Sequence, residues 1–308
     1  MKKKIKKIVF ITGLVGVSLI SIERNNYQNK VLNHSNNENT HNGSIISHRG
    51  FSSLELENSS KAVEKGFETN CSDGVEIDVR LTKDGEIVLA HNPYIEGVGK
   101  ISDNNLEEIS KKKYRCSSIS KLTLIKQCLI CKDGKLIFDR YCRVSSNKEK
   151  IVTLKYIIKN NSSDKQLLVD IKFDDNSETF VYKLNELFEE YNDISNIVFQ
   201  STDYESLKLM KEKYPNYNYQ LIIRKKKELE YLDSDFTMFG IRKNLITKEL
   251  VEEEIKKGNN ISIWTINSYE EFNKLKNELG EYINNISIIT DYPDEMCYLF
   301  NQKIKKLN

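Results

Sequence analysis

From Ser44 onward the chain repeats one pattern: a short apolar run, an amphipathic stretch of helical period, then another apolar run. The apolar runs are Ser44–Ser47, Val75–Val79, Gln166–Lys172, Asn196–Gln200, Tyr219–Ile223, Phe236–Ile241, Ile261–Ile266 and Ile286–Thr290. The amphipathic stretches are Asn58–Lys65 (Asn58 and Ser59 reading as caps), Thr153–Lys159, Glu178–Tyr191, Tyr204–Lys213, Lys225–Leu232, Thr247–Lys257 and Tyr269–Leu279. Glu295–Lys306 can close the chain as a last helix. Strands alternating with helices read as parallel βα units, because parallel strands need a crossover of about a dozen residues or more. Eight apolar runs so connected predict an α/β fold, a (β/α)8 TIM barrel, with an open doubly wound sheet as the alternative. One further run stands outside the count. Within Leu81–His91 the Lys83-Asp84-Gly85 turn is too tight for a crossover, so Ile87–Ala90 must return antiparallel.

Barrels of this kind carry their chemistry at the carboxyl ends of the strands. There this chain places His48, Arg49, Asp170 and Lys172, and His91 ends the hairpin run. Glu76 and Asp78 lie two apart on one strand and so share a face. Two carboxylates on an inward face need a cation, and oxygen-only ligation favours Mg2+ or Ca2+ over zinc. Asp170 offers a third carboxylate, and Lys172 points the same way, where it could hold a phosphate oxygen. Of the four histidines, His34 and His41 lie in a polar, Asn-rich stretch, which leaves His48 and His91 for chemistry. One neutral imidazole can deprotonate a hydroxyl while the other, as imidazolium, protonates a leaving oxygen. Arg49 can hold a phosphate bidentately. Such a set is the equipment of metal-assisted phosphoryl transfer.

Composition removes other classes. The 47 basic and 45 acidic residues nearly cancel, and no nucleic-acid-binding motif appears. No G-x-G-x-x-G follows a strand and no P-loop is present, which argues against nucleotide binding. The amino terminus carries a different message. MKKKIKK precedes an uncharged run, Ile8–Ile22. At ~1.5 Å per residue that run spans roughly 22 Å as a helix, short of the ~30 Å hydrocarbon core. It fits either a signal-peptide core or a short signal-anchor, and no clear A-x-A cleavage site follows it. The expected organisation is a signal peptide or anchor over 1–22, a disordered tether over 23–43 and a barrel over 44–308. The barrel is then exported, either membrane-anchored and facing outside or secreted, with the Lys-rich end held on the cytoplasmic side.

His48-Arg49-Gly50, Glu57-Asn58-Ser59, Glu76-x-Asp78-Val79, Thr82-x-Asp84-Gly85 and His91, in this order, resemble the glycerophosphodiester phosphodiesterase family. That family belongs to the superfamily of phosphatidylinositol-specific phospholipase C barrels. The resemblance runs on through Asp170-Ile171-Lys172, Ile263-Trp264-Thr265-Ile266-Asn267 and Thr290-Asp291-Tyr292-Pro293-Asp294. It implies that Glu76, Asp78 and Asp170 bind a divalent metal and that His48 and His91 are the acid–base pair. It further implies Arg49 and Lys172 on the phosphate and Trp264 near the glycerol. The implied reaction is attack by a neighbouring glycerol hydroxyl on phosphorus, through a cyclic phosphate that water opens. Two positions depart from the family's usual pattern: Asp170 stands where Glu is usual, and Asn92 stands where Asp usually follows the second histidine. Related sphingomyelinase-D-like phospholipases resemble this site too. A phospholipase D-like or surface-polymer phosphodiesterase, and a non-catalytic barrel-derived binding protein, are therefore the alternatives.

The resemblance also places an insertion after the second barrel strand, within 81–152, over the barrel mouth. It carries Cys116, Cys128, Cys131 and Cys142. In an exported protein these are expected to form disulfides, with a zinc knuckle using Cys128-x-x-Cys131, or free thiols, as alternatives. Cys71 and Cys297 are expected to be buried and unpaired.

Overall fold

In the computed structural model, residues 43–301 are described, apart from 96, 112, 115–128, 133–134, 139–148, 162, 175–176 and 192–193. The amino-terminal segment, the tether with its two histidines, and the pairing of the four insertion cysteines lie outside the described residues. Among the described residues no helix is long and apolar enough to cross a membrane.

Eight parallel strands close into a ring. They are β1 (Ser44–Ser47), β2 (Gly74–Leu81), β4 (Gln166–Ile171), β5 (Ile197–Ser201), β6 (Asn218–Ile223), β7 (Met238–Arg242), β8 (Asn260–Trp264) and β9 (Ser287–Thr290). Each pairs with its successor, and β1 pairs with both β9 and β2, which shuts the barrel. The hairpin strand β3 (Ile87–Leu89) lies antiparallel on β2, with Val79 opposite Leu89 and Leu81 opposite Ile87. Its turn runs from Thr82 to Glu86 through Gly85 at φ 84°, a left-handed position that suits glycine. Asp84 accepts from the Leu106 N–H at 3.0 Å, which ties this turn to the insertion helix α2 (Leu106–Ser110).

The helices start where polar caps precede the apolar period. Ser59, Thr153, Asp203, Thr247 and Ser268 each accept an N–H of the first turn that follows. They open α1 (Ser60–Glu68), α3 (Leu154–Asn160), α5 (Tyr204–Lys213), α6 (Lys248–Lys256) and α7 (Tyr269–Leu279); α4 (Ser177–Phe188) and α8 (Pro293–Asn301) complete the outer ring. Two details differ from the sequence reading. Asn58 is not a cap but takes φ 56°, which turns its side chain into the barrel. Residues Lys226–Asp233 form a 3-10 helix with no fully buried residue, and Leu229, Tyr231 and Leu232 pack only partly buried against the main core.

The core divides by strand alternation. Val75, Ile77, Val79, Leu167, Val169, Phe199, Leu221, Phe239 and Ile263 face the helices in the main cluster. Ile46, Leu168, Val198 and Ile289 point inward as a small plug, with Met238 and Trp264 packed on it. Gln220 donates to Gln200 at 2.6 Å and accepts from Ser262 at 2.9 Å, forming a satisfied polar row across the interior.

Cys71 and Cys297 are buried as expected, but they are joined by a disulfide, with Cα atoms 6.0 Å apart. Ring closure is the reason: Cys71 sits between α1 and β2, and Cys297 lies in α8, so the last βα unit comes to rest beside the first. A separation of 226 residues hides that neighbourhood in the sequence. Removing the cross-link by Cys71→Ser with Cys297→Ser is expected to cost about 2–5 kcal/mol of stability. Urea unfolding with and without reductant measures this, and coincident midpoints would show that the link contributes nothing.

Candidate active site

The site is built by a sharp turn after β1. The His48 N–H donates to the Thr290 carbonyl at 2.8 Å, and the chain then passes through left-handed backbone at Arg49 (φ 56°) and Gly50 (φ 79°). A Cβ at Gly50 would lie 2.4 Å from the Ala62 carbonyl carbon in α1, so the turn and the close approach both demand glycine. The turn aims the Arg49 N–H at Glu76 Oε2 (2.9 Å). It also places the guanidinium between Glu57 and Asp78: Nη1 donates to Glu57 Oε2 at 3.1 Å, and Nε lies 3.1 Å from Asp78 Oδ2.

Glu76 and Asp78 project inward from β2, and Asp170 from β4 is the direct register partner of Asp78. The three offer oxygens within 4.8 Å of one another, and all three are at most 6% exposed. Lys172 Nζ lies 2.8 Å from Asp78 Oδ1 and also contacts Asp170 Oδ2. Asn58 holds Asp78 twice, donating from Nδ2 to Oδ2 at 2.9 Å and accepting the Asp78 N–H at 2.9 Å.

Three buried carboxylates face two cations, and Asp170 Oδ1 is buried without a hydrogen-bond partner. Surplus negative charge and an orphaned acceptor are what a hard, oxygen-seeking cation would satisfy, so the donor set fits a divalent ion. Without one, burial and then the neighbouring Asp78 push the Glu76 carboxyl up to about 7. Burial raises Asp170 as well. Burial also opposes ionisation of Asp78, but Lys172 and Arg49 outweigh it and hold that carboxyl below its ordinary range.

The two histidines are set differently. His48 Nδ1 lies 2.6 Å from Asp291 Oδ1, and Nε2 points to the cluster, 3.9 Å from Glu76 Oε2. Asp291 is in turn held by Ser52 Oγ (3.0 Å) and by Asn267, whose Oδ1 accepts the Asp291 N–H at 2.9 Å. Burial disfavours the His48 imidazolium, yet Asp291 overrides it, and the pKa is raised. His91 returns to the cluster because Ala90 donates to the Asp78 carbonyl at 3.0 Å. Burial and then Arg49 lower its pKa. Its Nδ1 lies 3.0 Å from Asn92 Oδ1, so the amide keeps an oxygen partner on the ring although it carries no charge. Arg80 grips the His91 carbonyl through Nε (3.0 Å) and Nη2 (2.7 Å), and is itself anchored to Asp174 at 2.8 Å.

Of the residues singled out from sequence, His48, Arg49, Glu76, Asp78, Asp170 and Lys172 form one contacting set, and His91 sits within reach of its charges. Trp264 stands apart on β8. Its indole packs on the inner plug and its Nε1 donates to the Gly240 carbonyl at 3.0 Å. Glu57, Asn58, Arg80 and Asp291 are the additions. Glu57, Asn58 and Asp291 lie in motifs the sequence displays, without a sign of what each would touch.

Because Asp291 supplies the charge that raises His48, Asp291→Asn is expected to lower the His48 pKa while retaining an oxygen acceptor for Nδ1. Titration of the imidazole resonance by NMR reads this directly. An unshifted midpoint would remove Asp291 as the cause.

The sequence matches the Glycerophosphoryl diester phosphodiesterase family over residues 48–295. It is 25% identical over 260 residues to YhdW of Bacillus subtilis, spanning 81% of this chain and 95% of that protein. It is 27% identical over 268 residues to a glycerophosphodiester phosphodiesterase of Caldanaerobacter subterraneus, spanning 83% and 96%. The fold is similar to the crystal structure of the Thermotoga maritima glycerophosphodiester phosphodiesterase, with a TM-score of 0.59 and 25% identity over 83% of this chain and 98% of that one. A match covering most of the barrel and every residue of the contacting set assigns the protein: it belongs to the glycerophosphoryl diester phosphodiesterase family of enzymes.

Proposed function

We propose that the protein hydrolyses glycerophosphodiesters to glycerol 3-phosphate and an alcohol. In this reading Glu76, Asp78 and Asp170 hold one divalent ion, Mg2+ or Ca2+, and His48 and His91 move the protons. The observation that carries it is the buried carboxylate triad, flanked by Arg49 and Lys172 and by two imidazoles shifted in opposite directions. When bound, the ion supplies Lewis-acid stabilisation of charge on the phosphoryl oxygens.

The chain's own groups account for the rest. Arg49 and Lys172 are positioned to orient the phosphate, and the Trp264 face offers the glycerol an apolar wall. His91, whose pKa burial and then Arg49 lower, accepts the proton of the glycerol hydroxyl as that oxygen attacks phosphorus. His48, whose pKa Asp291 raises against the opposing effect of burial, gives its proton to the departing alcohol. A cyclic phosphate results, and the histidines are left in exchanged states. Water then opens the ring with the roles reversed, His48 taking the proton and His91 returning one.

Release of glycerol 3-phosphate from glycerophosphocholine, assayed with and without chelator, tests the reading. Chelation is expected to abolish turnover and Mg2+ or Ca2+ to restore it, and His48→Ala should reduce kcat about 10²–10⁴-fold. Activity that survives both chelation and the substitution would overturn the mechanism.

The reading extends to location. The basic and apolar amino terminus and the Cys71–Cys297 disulfide both support an exported barrel, since disulfides persist in oxidising compartments. It is anchored through 8–22, or released if that segment is cleaved. Protease added to intact cells is expected to digest an anchored barrel, and the medium should hold a released one; a barrel recovered undigested from inside the cell would refute export.

A further inference from the structure

On the face that bears Glu76 and Asp78, β2 carries one more charged side chain than the proposed reaction uses. Glu76, Asp78 and Arg80 lie two apart on that strand, and Asp170, Lys172 and Asp174 repeat the spacing on β4 and just beyond it. The two strands run in register, Asp78 beside Asp170 and Val79 beside Ile171. Opposite charges therefore meet across them in two successive rungs. Lys172 Nζ lies 2.8 Å from Asp78 Oδ1, and Arg80 Nη1 lies 2.8 Å from Asp174 Oδ1. The first rung belongs to the carboxylate cluster. The second serves something else.

Arg80 is 8% exposed, and all three nitrogens of its guanidinium are engaged. Nε and Nη2 donate to the His91 carbonyl, at 3.0 and 2.7 Å, while Nη1 donates to Asp174. A third phosphate-binding cation beside Arg49 and Lys172 would present its fork to the pocket. This one turns it to a main-chain oxygen. The hairpin does not need that grip to stay on the sheet. Val79, Arg80 and Leu81 pair with Leu89, Val88 and Ile87, the Leu89 N–H donates to the Val152 carbonyl at 2.9 Å, and the Ala90 N–H donates to the Asp78 carbonyl at 3.0 Å. At His91 the chain leaves the sheet. Among the described residues, every hydrogen bond to the His91 main chain comes from Arg80. The peptide so held joins His91 to Asn92. It fixes the root of the imidazole and also the amide whose Oδ1 lies 3.0 Å from Nδ1. With an acceptor beside Nδ1 the ring hydrogen sits there, and Nε2 is left as the basic nitrogen.

We propose that Arg80, anchored by Asp174, is a positioning residue for His91: it holds the 91–92 peptide so that the imidazole meets the glycerol hydroxyl in one orientation and one tautomer. A guanidinium suits the task because its planar fork gives two bonds to one oxygen and a third to a carboxylate, which a lysine ammonium cannot reproduce. Two metal-ligand candidates, Glu76 and Asp78, and the grip on the base then hang from one strand, β2. Their separation is set by strand geometry and not by the loop that follows His91. The inference rests on the proposed role of His91 as base and adds the device that aims it.

Steady-state hydrolysis of glycerophosphocholine by the full chain, with Mg2+ or Ca2+, tests this. Arg80→Gln should lower kcat about 10²-fold, the cost of a slightly misplaced catalytic group, with KM held within about twofold. Asp174→Asn keeps an oxygen for Nη1 and removes only its charge, so a smaller loss in kcat, about tenfold, is expected. In a His91→Ala background both substitutions should fall silent to within about twofold, because no imidazole remains to be aimed. Undiminished losses in that background would make the pair merely structural. A rise in KM at unchanged kcat would make Arg80 a phosphate ligand. Either result, or full activity in both single variants, overturns the proposal. Where Arg80→Gln does not fold, Asp174→Asn carries the same comparison. If the wild type turns over no glycerophosphodiester, the hydrolytic reading fails by itself. The NMR signal of the His91 Cε1–H group then decides the positioning: Asp174→Asn should shift or broaden it and leave that of His48 in place, and an unmoved His91 signal would overturn the role of the pair.

Discussion

Three carboxylates within 4.8 Å of one another in a buried pocket are the interaction this barrel must accommodate. Like charges at that range repel strongly once water is excluded, and neutralising one of them is the cheapest escape. The rise of Glu76 to about 7 is that escape under way. The surrounding structure works against it. Arg49 gives its main-chain N–H to Glu76 and sets its guanidinium beside Asp78, Lys172 bridges Asp78 and Asp170, and Asn58 takes two more bonds to Asp78. The left-handed backbone at Arg49, Gly50 and Asn58 exists to make those contacts, since no regular strand or helix would aim all three groups at one point.

That explains which parts of the molecule were legible in the sequence. The eight strands and the hairpin were readable because alternation and tight-turn chemistry are local: Lys83-Asp84-Gly85 carries its turn in three residues. Glu76, Asp78, Asp170 and Lys172 were readable because strand parity puts side chains two apart on one face. Asn58 was misread because Asn before a helix usually caps it, whereas here Ser59 caps and Asn58 is spent on Asp78. Asp291 and Cys297 were obscure for a different reason. Each acts across the closing seam of the ring, Asp291 on His48 and Cys297 on Cys71, and no local pattern reports on a contact 226 or more residues distant.

The geometry accommodates both departures from the pattern that the resemblance carries. Asp78 and Asp170 are direct register partners on adjacent parallel strands, where backbones run about 4.8 Å apart. At that spacing a short side chain suffices to bring the oxygens together, so Asp170 has no gap for a longer carboxylate to bridge. Asn92 likewise keeps an oxygen on His91 Nδ1. What it omits is charge, and charge at that position would oppose the downward shift of His91. With Asp291 on one ring and Asn92 on the other, only His48 has a carboxylate bonded to its Nδ1. The two imidazoles are thereby shifted in opposite directions, as the proposed exchange of two protons requires of chemically identical side chains.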